Sequence, residues 1–325
     1  MPNSFIHVLD SLAYRTKNRL VNLFDPPVVV LLYHRVPSIA PDPQLLSVSP
    51  DNFRAHMQFL KNNYTLVRFE EDWSKLKKPA IVITFDDGYA DNAREALPIL
   101  EEVGVPATFF ISTGLIGTPQ QFWWDELAHI ILGDHDFPER FELADNNSEQ
   151  VWPSATSTQR LTFYGEIQLL MKNINAHRRE SWLRQLRRWV HTGEEADDSH
   201  RLMSIEELRS LADSRWVTIG AHTVSHTALS SLTFPEQRHE IIDSKTQLES
   251  WLGKEINVFS YPFGSEEDYT QDSATICKEA GFIKAAANFP AQVHNWTDLY
   301  KIPRQLVRNW SIDIFPEKLK RFWIA

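Results

Sequence analysis

Short apolar runs that end at polar turns recur along most of this chain. Val28–Tyr33 and Ala80–Phe85 are apolar at nearly every position, which is typical of parallel strands covered by helices on both faces. A helical stretch around residues 92–102 follows the second run and leads to a third apolar run, Ala107–Ile111. Four later segments repeat the pattern: Val217–Gly220, Val258–Tyr261, Ile283–Ala287 and Leu306–Val307. Strands that alternate with helices predict a parallel α/β sheet or barrel, and about seven strands favour closure into a barrel.

Residues from about 119 to 200 interrupt this alternation. Phe122–Leu132 and His177–His191 are predicted helices, so we interpret the segment as a helical insertion in a domain that spans residues 28–325. The second helix is rich in arginine. We expect a solvated basic face there, with an anchor for phosphate groups on a substrate carrier as the alternative.

An amphipathic helix is predicted near the start of the chain, in a separate segment of residues 1–27. Apolar positions within residues 4–24 follow helical spacing, and Asp25-Pro26-Pro27 ends the pattern. We expect this helix to pack on its own domain, and the alternative is a basic helix on a membrane surface. The start of the chain lacks the features of a secretory signal, so we expect a cytoplasmic protein, with peripheral contact at the inner face of the membrane as an extension.

The composition narrows the chemistry. With 42% hydrophobic residues, the chain of 325 residues has enough apolar material for a core. The formal net charge is −10, and an acidic chain repels a phosphate backbone, so nucleic acid is not an expected partner. Cys277 is the single cysteine, which excludes an internal disulfide and a cysteine-rich zinc site. The 12 histidines and 43 acidic residues are therefore the candidates for metal ligands.

Two of the predicted strands end in side chains that bind metals. Asp86 and Asp87 follow one strand, and His222 and His226 follow another. Two histidines four apart lie on one face of a helical turn, and one carboxylate completes a three-ligand set with open positions, as in hydrolytic zinc sites and non-haem iron sites. The second carboxylate would then accept a proton from bound water. The alternative for the two aspartates alone is a helix cap and a turn at Gly88.

These two segments resemble the signature motifs of a known family. Thr84–Gly88 and His222–His226 are similar to the two main motifs of the polysaccharide deacetylases, also called the NodB-homology or carbohydrate esterase 4 family. The likeness extends over about residues 28–310 through four further segments: Tyr33–Val36, Phe122–Asp125, Ser260–Gly264 and Pro303-Arg304. The resemblance implies a distorted (β/α)7 barrel and hydrolysis of N-acetyl groups on sugars. The insertion in this chain is similar to that of family members found among exopolysaccharide genes.

The resemblance also implies a role for each motif residue. It makes Asp86 the general base and makes Asp87, His222 and His226 the metal ligands. The backbone amide of Phe263 would help to bind the oxyanion, which tolerates any side chain there. Zinc is the expected metal, and iron, cobalt and nickel suit the same ligands.

The chain departs from the family pattern in two places. The arginine that usually orients the base is replaced by Ser260 or Tyr261, and we suggest that Arg304 supplies it from a later strand. The Leu-x-His motif of the catalytic acid is missing near the carboxyl terminus, but the segment ending at His34 has this pattern. The order resembles a circularly permuted branch that includes deacetylases of biofilm N-acetylglucosamine polymers. We therefore predict His34 as the acid, with His294 as the late competitor.

The predicted function is metal-dependent removal of N-acetyl groups from a polysaccharide or a lipid-linked oligosaccharide, in exopolysaccharide or cell-envelope glycan biosynthesis. The expected partner is an N-acetylated glycan. Two alternatives are a deformylase of a lipid-linked aminosugar and a non-catalytic sugar-binding barrel. Five residues are predicted to contact the sugar: Tyr89, Trp123, Trp124, Asp125 and Tyr261.

Overall fold

The computed structural model describes residues 21–39, 41–145, 148–193 and 198–323. Most of the predicted amphipathic helix at residues 4–24 lies outside these residues, and only its last turn, residues 21–24, is described as helical. Within the described residues, no helix combines the length and the apolar character that a membrane span requires.

The chain divides into two compact units. The first contains the described residues up to Ser38, Leu46–Ile116 and the described residues from Met203 onward, and the second contains Ile39–Leu45 and Gly117–Leu202. The insertion predicted at about residues 119–200 falls within the second unit.

Ten strands are described in the two units. In chain order they are β1 (Val28–Tyr33), β2 (Thr65–Leu66), β3 (Ala80–Phe85), β4 (Ala107–Ile111), β5 (Arg140–Asp145), β6 (Ser148–Pro153), β7 (Val217–Ala221), β8 (Val258–Ser260), β9 (Lys284–Ala286) and β10 (Gln305–Leu306). The first unit is built on a parallel sheet with the order β10-β1-β3-β4-β7-β8-β9, and β2 pairs with β3. All seven predicted strands belong to this sheet. In the described part of the chain β9 and β10 do not pair, so the distorted barrel takes the form of a curled half-barrel.

Nine α-helices are described besides the helical turn at residues 21–24. They are α1 (Pro50–Asn63), α2 (Leu97–Val103), α3 (Trp123–Leu132), α4 (Ser157–Lys172), α5 (Ala176–Trp189), α6 (Ile205–Asp213), α7 (Phe234–Leu252), α8 (Gln271–Glu279) and α9 (Phe315–Phe322). A π-helical turn, Asn92–Ala96, leads into α2. Local sequence sets several of the starts: the Ser49 hydroxyl caps α1, and Ser204 with Glu207 forms a capping box at α6.

The central strands of the sheet are apolar because they are buried on both faces. Every residue of β1, β3 and β4 is buried. In the register of β1 and β3, Tyr33 lies opposite Phe85. The next residues, His34 and Asp86, therefore leave the sheet side by side at its carboxyl edge. Chemistry in parallel α/β folds gathers at this edge.

The second unit contains a feature that the sequence pattern did not predict. Besides α3, α4 and α5 it has an antiparallel hairpin, β5 paired with β6. Phe141 and Leu143 point into the core of this unit while Glu142 between them is exposed. Such alternation is the normal signature of a half-buried strand, so the prediction of a purely helical insertion is wrong for these residues.

The arginine-rich helix α5 is not simply a solvated basic face. Arg179 and Arg187 are buried, each 7% exposed. Arg187 pairs with Glu126 and Glu180, and Arg179 donates to the carbonyl oxygens of Met171 and Ile174. Both arginines are held by contacts inside the second unit, which removes them from the predicted phosphate anchor.

Candidate active site

Three side chains of the metal-binding type converge at the carboxyl edge of the sheet. Nε2 of His226 lies 3.1 Å from Oδ1 of Asp87, and Nε2 of His222 lies 3.6 Å from the same oxygen. All three residues are buried, and each offers a ligand atom within 4.8 Å of the others. One carboxylate and two imidazoles at this spacing form a donor set that suits zinc and other divalent transition metals.

The two histidines do not lie on a helical turn, as their spacing had suggested. The segment after β7 is a loop, and Thr223 and His226 adopt positive φ angles of 66° and 52°. This fold-back brings the two imidazole centroids to 4.8 Å. The pairing was predicted correctly, but its conformational basis was wrong because a spacing of four residues does not specify a helix.

Backbone strain is concentrated at this edge of the sheet. Six residues other than glycine have positive φ in the described part of the chain, and four of them are Asp87, Thr223, His226 and Phe263. Side chains other than glycine rarely adopt this conformation, which costs about 1–3 kcal/mol per residue. Strain of this kind is commonly found at functional sites, where it aims side chains at a common point.

The ring of His222 is oriented for metal binding. Its Nδ1 lies 2.7 Å from the carbonyl oxygen of Ser260 and donates to it, so the lone pair of the neutral ring is on Nε2. That nitrogen faces Asp87. Because Nδ1 of His222 already donates to Ser260, this ring can bind a divalent cation through Nε2, together with Asp87 and His226, without rearranging.

Asp86 is held by a buried network next to the donor set. Arg304 donates from its two terminal nitrogens to Oδ1 and Oδ2 of Asp86 at 2.7 and 2.6 Å. It also donates to the Ser260 hydroxyl at 2.8 Å, and that hydroxyl lies 3.2 Å from Oδ2 of Asp86. Arg304 is 1% exposed. Arg304 therefore contacts Asp86 as we expected of the residue that replaces the family's arginine.

The surroundings keep both carboxylates ionised. Burial raises the pKa of Asp86, but the charges of Arg304 and His222 outweigh burial and hold that pKa below its usual value. Burial likewise raises the pKa of Asp87, yet hydrogen bonds from His222 and His226 hold it well below its usual value. For His222, burial lowers the pKa, but the two carboxylates reverse the effect and raise it. Two ionised carboxylates thus lie beside the imidazoles and attract a divalent cation, whose binding would displace a proton from Nε2 of His222.

His34 lies at the same edge as this cluster. It follows β1 beside Asp86, and its side chain is half-buried. Burial lowers the pKa of its imidazole, and the charges of Asp87 and Asp86 oppose this only in part. His294, the alternative acid, lies beside the amino end of β1, because its neighbour Val293 bridges to Val28. The geometry thus favours His34 over His294.

The comparisons with known proteins agree with this geometry. A family model described as "Polysaccharide deacetylase" matches residues 74–138 and 176–283, more than half of the chain. The chain belongs to the polysaccharide deacetylase family. Members of this family are hydrolases that act on N-acetyl amide bonds.

Individual relatives are distant in sequence. "Putative polysaccharide deacetylase YxkH" from Bacillus subtilis (strain 168) is 22% identical over 282 residues, which are 85% of this chain and 69% of that protein. BC0361, a polysaccharide deacetylase from Bacillus cereus, is 21% identical with a TM-score of 0.58, over 93% of this chain and 70% of that one. The Streptococcus pyogenes deacetylase PplD, solved with acetate, is 16% identical with a TM-score of 0.58, over 90% and 98% of the two chains. The structural likenesses support a deacetylase fold with a curled parallel sheet.

Two residues predicted to contact the sugar are core residues of this deacetylase. Tyr261 is fully buried, its ring stacks on Tyr269 and its hydroxyl donates to the carbonyl oxygen of Tyr300. Tyr89 is 1% exposed, and the guanidinium of Arg35 lies 4.1 Å from its ring centroid. Because neither ring presents a surface on which a sugar could stack, their predicted role in substrate binding is wrong as far as the side chains are concerned.

The other three predicted sugar contacts belong to the second unit. Trp124 is 5% exposed and stacks on Phe122, while Trp123 is half-buried with the guanidinium of Arg179 4.8 Å from its ring. Asp125 lies 3.1 Å from Nδ1 of His200. All three have structural contacts within their own unit, and a role in binding the substrate stays a prediction.

Sequence reasoning missed two residues that shape the site. Ser260 links Asp86 to Arg304 through its hydroxyl and holds His222 through its carbonyl. Glu240, on α7, accepts hydrogen bonds from the backbone N–H groups of Val224 and Ser225 and so fixes the histidine loop. The place of Ser260 in the third motif was a usable signal. Nothing in the sequence distinguishes Glu240 from the other acidic residues of its helix.

Proposed function

We propose that this polysaccharide deacetylase removes N-acetyl groups from an N-acetylated glycan in a metal-dependent hydrolysis. The observation that supports it best is the arrangement of Asp86, an ionised carboxylate held on both oxygens by Arg304, beside the donor set of Asp87, His222 and His226. A sugar-binding barrel without turnover has no need for an oriented base next to a three-donor site.

Each of the residues has a distinct role in this proposal. A divalent cation held by Asp87, His222 and His226 would polarise the amide carbonyl and lower the pKa of a water molecule. Asp86 accepts the proton of the attacking water, and Arg304 keeps this carboxylate ionised and oriented. The backbone N–H of Phe263 donates to the oxyanion that develops on the former carbonyl oxygen. His34 then donates a proton to the leaving amine, which leaves poorly without one.

The proposed substrate is an N-acetylated aminosugar in a polysaccharide or a lipid-linked oligosaccharide, used for exopolysaccharide or cell-envelope glycan synthesis. The products are acetate and a free amine on the sugar. We propose zinc as the metal because two imidazoles and a carboxylate are typical zinc ligands. Iron, cobalt and nickel suit the same donors and are the other metals to load.

The test is a release assay on metal-loaded protein. N-acetylglucosamine oligomers and their N-formyl counterparts are incubated with protein loaded with each metal, and acetate, formate and the masses of the glycans are measured. We expect release of acetate and loss of one acetyl group from the oligomer. Release of formate alone would contradict deacetylation in favour of deformylation. If the protein bound the glycan but released neither acid with any of the metals, the proposal that it is an enzyme would be contradicted.

Two variants separate the base from the ligands. Asp86→Asn should keep its bound metal and lose acetate release, since Asn cannot accept the proton. Asp87→Asn should lose both metal and activity, because it weakens the donor set directly. An Asp86→Asn protein with wild-type turnover would contradict the role of Asp86.

A further inference from the structure

The residues after β1 are tied to the residues just after Asp87 and Gly88 by a group of polar contacts. Arg35 donates from Nε to Oδ2 of Asp91 at 3.0 Å, and a terminal nitrogen of the same guanidinium lies 2.9 Å from this oxygen. The backbone N–H of Val36 donates to Oδ1 of Asp91 at 2.9 Å. One residue later, Nδ2 of Asn92 donates to the carbonyl oxygen of His34 at 2.9 Å. The main chain from the His34 carbonyl to Val36 is thus bonded to Asp91 and Asn92, in the segment that follows the two aspartates.

This ion pair is buried. Arg35 is 3% exposed and Asp91 is 9% exposed. A buried ion pair is a poor source of stability, because the loss of hydration offsets most of the attraction, and an apolar pair of similar volume is commonly as stable. What such a pair can supply is a defined geometry, because two nitrogens of the Arg35 guanidinium converge on Oδ2 of Asp91 while Oδ1 accepts the Val36 N–H. The pair therefore suits a positioning role better than a purely stabilising one.

The imidazole of His34 needs such support from its backbone. Catalytic and metal-binding imidazoles are usually oriented by a hydrogen bond at the ring nitrogen that does not react. Nδ1 of His34 is buried, and among the described residues it has no hydrogen-bond partner. The direction of the ring consequently depends on where the main chain of residues 34–36 is held.

We infer that Arg35 and Asp91 are positioning residues for His34, which they aim at the leaving amine by fixing the backbone of residues 34–36 after β1. This rests on the proposed function, in which His34 is the acid. The π-helical turn Asn92–Ala96 begins directly after Asp91, and single π turns inside helices are frequent at functional sites.

A double-mutant cycle tests the inference. Asp91→Asn and His34→Ala are made separately and together, and kcat, KM and metal content are measured on an N-acetylglucosamine oligomer. We expect Asp91→Asn alone to lower kcat by about 10- to 100-fold, with KM and metal content unchanged, because a displaced catalytic group costs on this order. In the His34→Ala background the same change should lower kcat by less than about 2-fold, since no acid is left to misplace. Equal losses in both backgrounds would overturn the inference.

Two further variants guard against a folding defect. Arg35→Met/Asp91→Leu replaces the pair with apolar side chains. It should still fold, with a melting temperature lowered only by the loss of the acceptor of the Val36 N–H, and it should show the same fall in kcat as Asp91→Asn. Arg187→Met is the matched control, because Arg187 is a similarly buried arginine paired with Glu126 in the second unit. Any loss of kcat that it causes should be the same with and without His34.

A readout independent of turnover separates this inference from the proposed function. In histidine-labelled protein, the ring resonances of His34 should shift or broaden in Asp91→Asn, while those of His222 and His226 and those in the Arg187→Met control stay in place. Unchanged His34 resonances would overturn the positioning role even if the enzyme is active. Shifted resonances in a protein that releases no acetate would instead uphold the positioning and contradict the proposed function.

Discussion

Replacing Arg304 with methionine should leave the Asp86 carboxylate buried without the guanidinium that contacts both of its oxygens. The two hydrogen bonds measure 2.7 and 2.6 Å, and the Arg304 and Asp86 side chains are 0% and 5% exposed. Breaking a buried pair by removing one partner costs about 3–5 kcal/mol, because the remaining charge stays desolvated. Nε2 of His222 remains 3.8 Å from Oδ2 of Asp86 and offers a partial replacement. We therefore expect Arg304→Met to lower the free energy of unfolding by about 3 kcal/mol. This is a large fraction of the roughly 5–15 kcal/mol that stabilises a typical domain.

The loss should depend on pH in a defined direction. In the wild type the pKa of Asp86 lies below its usual value of 3.8, so this carboxylate stabilises the fold above about pH 4 and ceases to do so in stronger acid. Without Arg304, burial raises the pKa of Asp86 above its value in the unfolded chain. The variant then loses stability as the pH rises through that range, by up to about 1.4 kcal/mol per pH unit. The penalty should therefore be smaller at pH 5 than at pH 7.

The measurement is urea unfolding of metal-free protein at pH 5, 6 and 7. Arg304→Lys is the matched control, because it keeps the charge and loses the two-point contact, and its penalty should be smaller and nearly independent of pH. Arg304→Met combined with Asp86→Asn should be more stable than Arg304→Met alone, since it removes the buried charge. A loss below about 1 kcal/mol that is the same at pH 5 and pH 7 would refute the reasoning.

Three further predictions concern the site and the core. Zinc at 100-fold excess over its dissociation constant should stabilise the fold by about 2.7 kcal/mol. A chelator should therefore lower the melting temperature of the wild type but not that of His226→Ala. An equal effect on both proteins would place the metal elsewhere. Ser260→Ala should lower kcat about 10-fold, because Asp86 loses the hydroxyl that helps to hold it. Metal content should not change, since alanine keeps the backbone carbonyl to which His222 donates. A wild-type kcat would show that the Ser260 hydroxyl does not position Asp86. Burial lowers the pKa of His56, which is 0% exposed, from 6.5 to about 4. The folded state thus resists protonation, and about 3 kcal/mol of stability should be lost as the pH falls from 6.5 to 4. In urea unfolding, His56→Phe should reduce this dependence of the free energy of unfolding on pH. An unchanged pH dependence would contradict the role of His56.

Much of the fold and the identity of the donor set were accessible from the chain alone. The runs that became β1, β3 and β4 are buried on both faces, and such strands must be continuously apolar, so their positions could be read directly. Asp86 and Asp87 break the apolar run of β3 at its end, where a sheet of this kind exposes its chemistry. By themselves these aspartates also suit a helix cap and a turn, and the histidines after another strand make a metal site the better explanation. The two-residue strand β2 and the hairpin of the second unit were missed, because short or isolated strands have weak patterns.

The tertiary structure decided how distant residues meet. Arg304 reaches Asp86 across 218 positions of sequence, and Ser260 joins them through a hydroxyl that is too common in sequences to be recognised as a link. The turn that brings His222 to His226 depends on positive φ angles, which are imposed by packing and by Glu240 rather than by local preference. Tyr261 matched a motif by position, yet its ring faces the core. A sequence pattern records which side chains can react, whereas burial and long-range contacts determine which of them face one another.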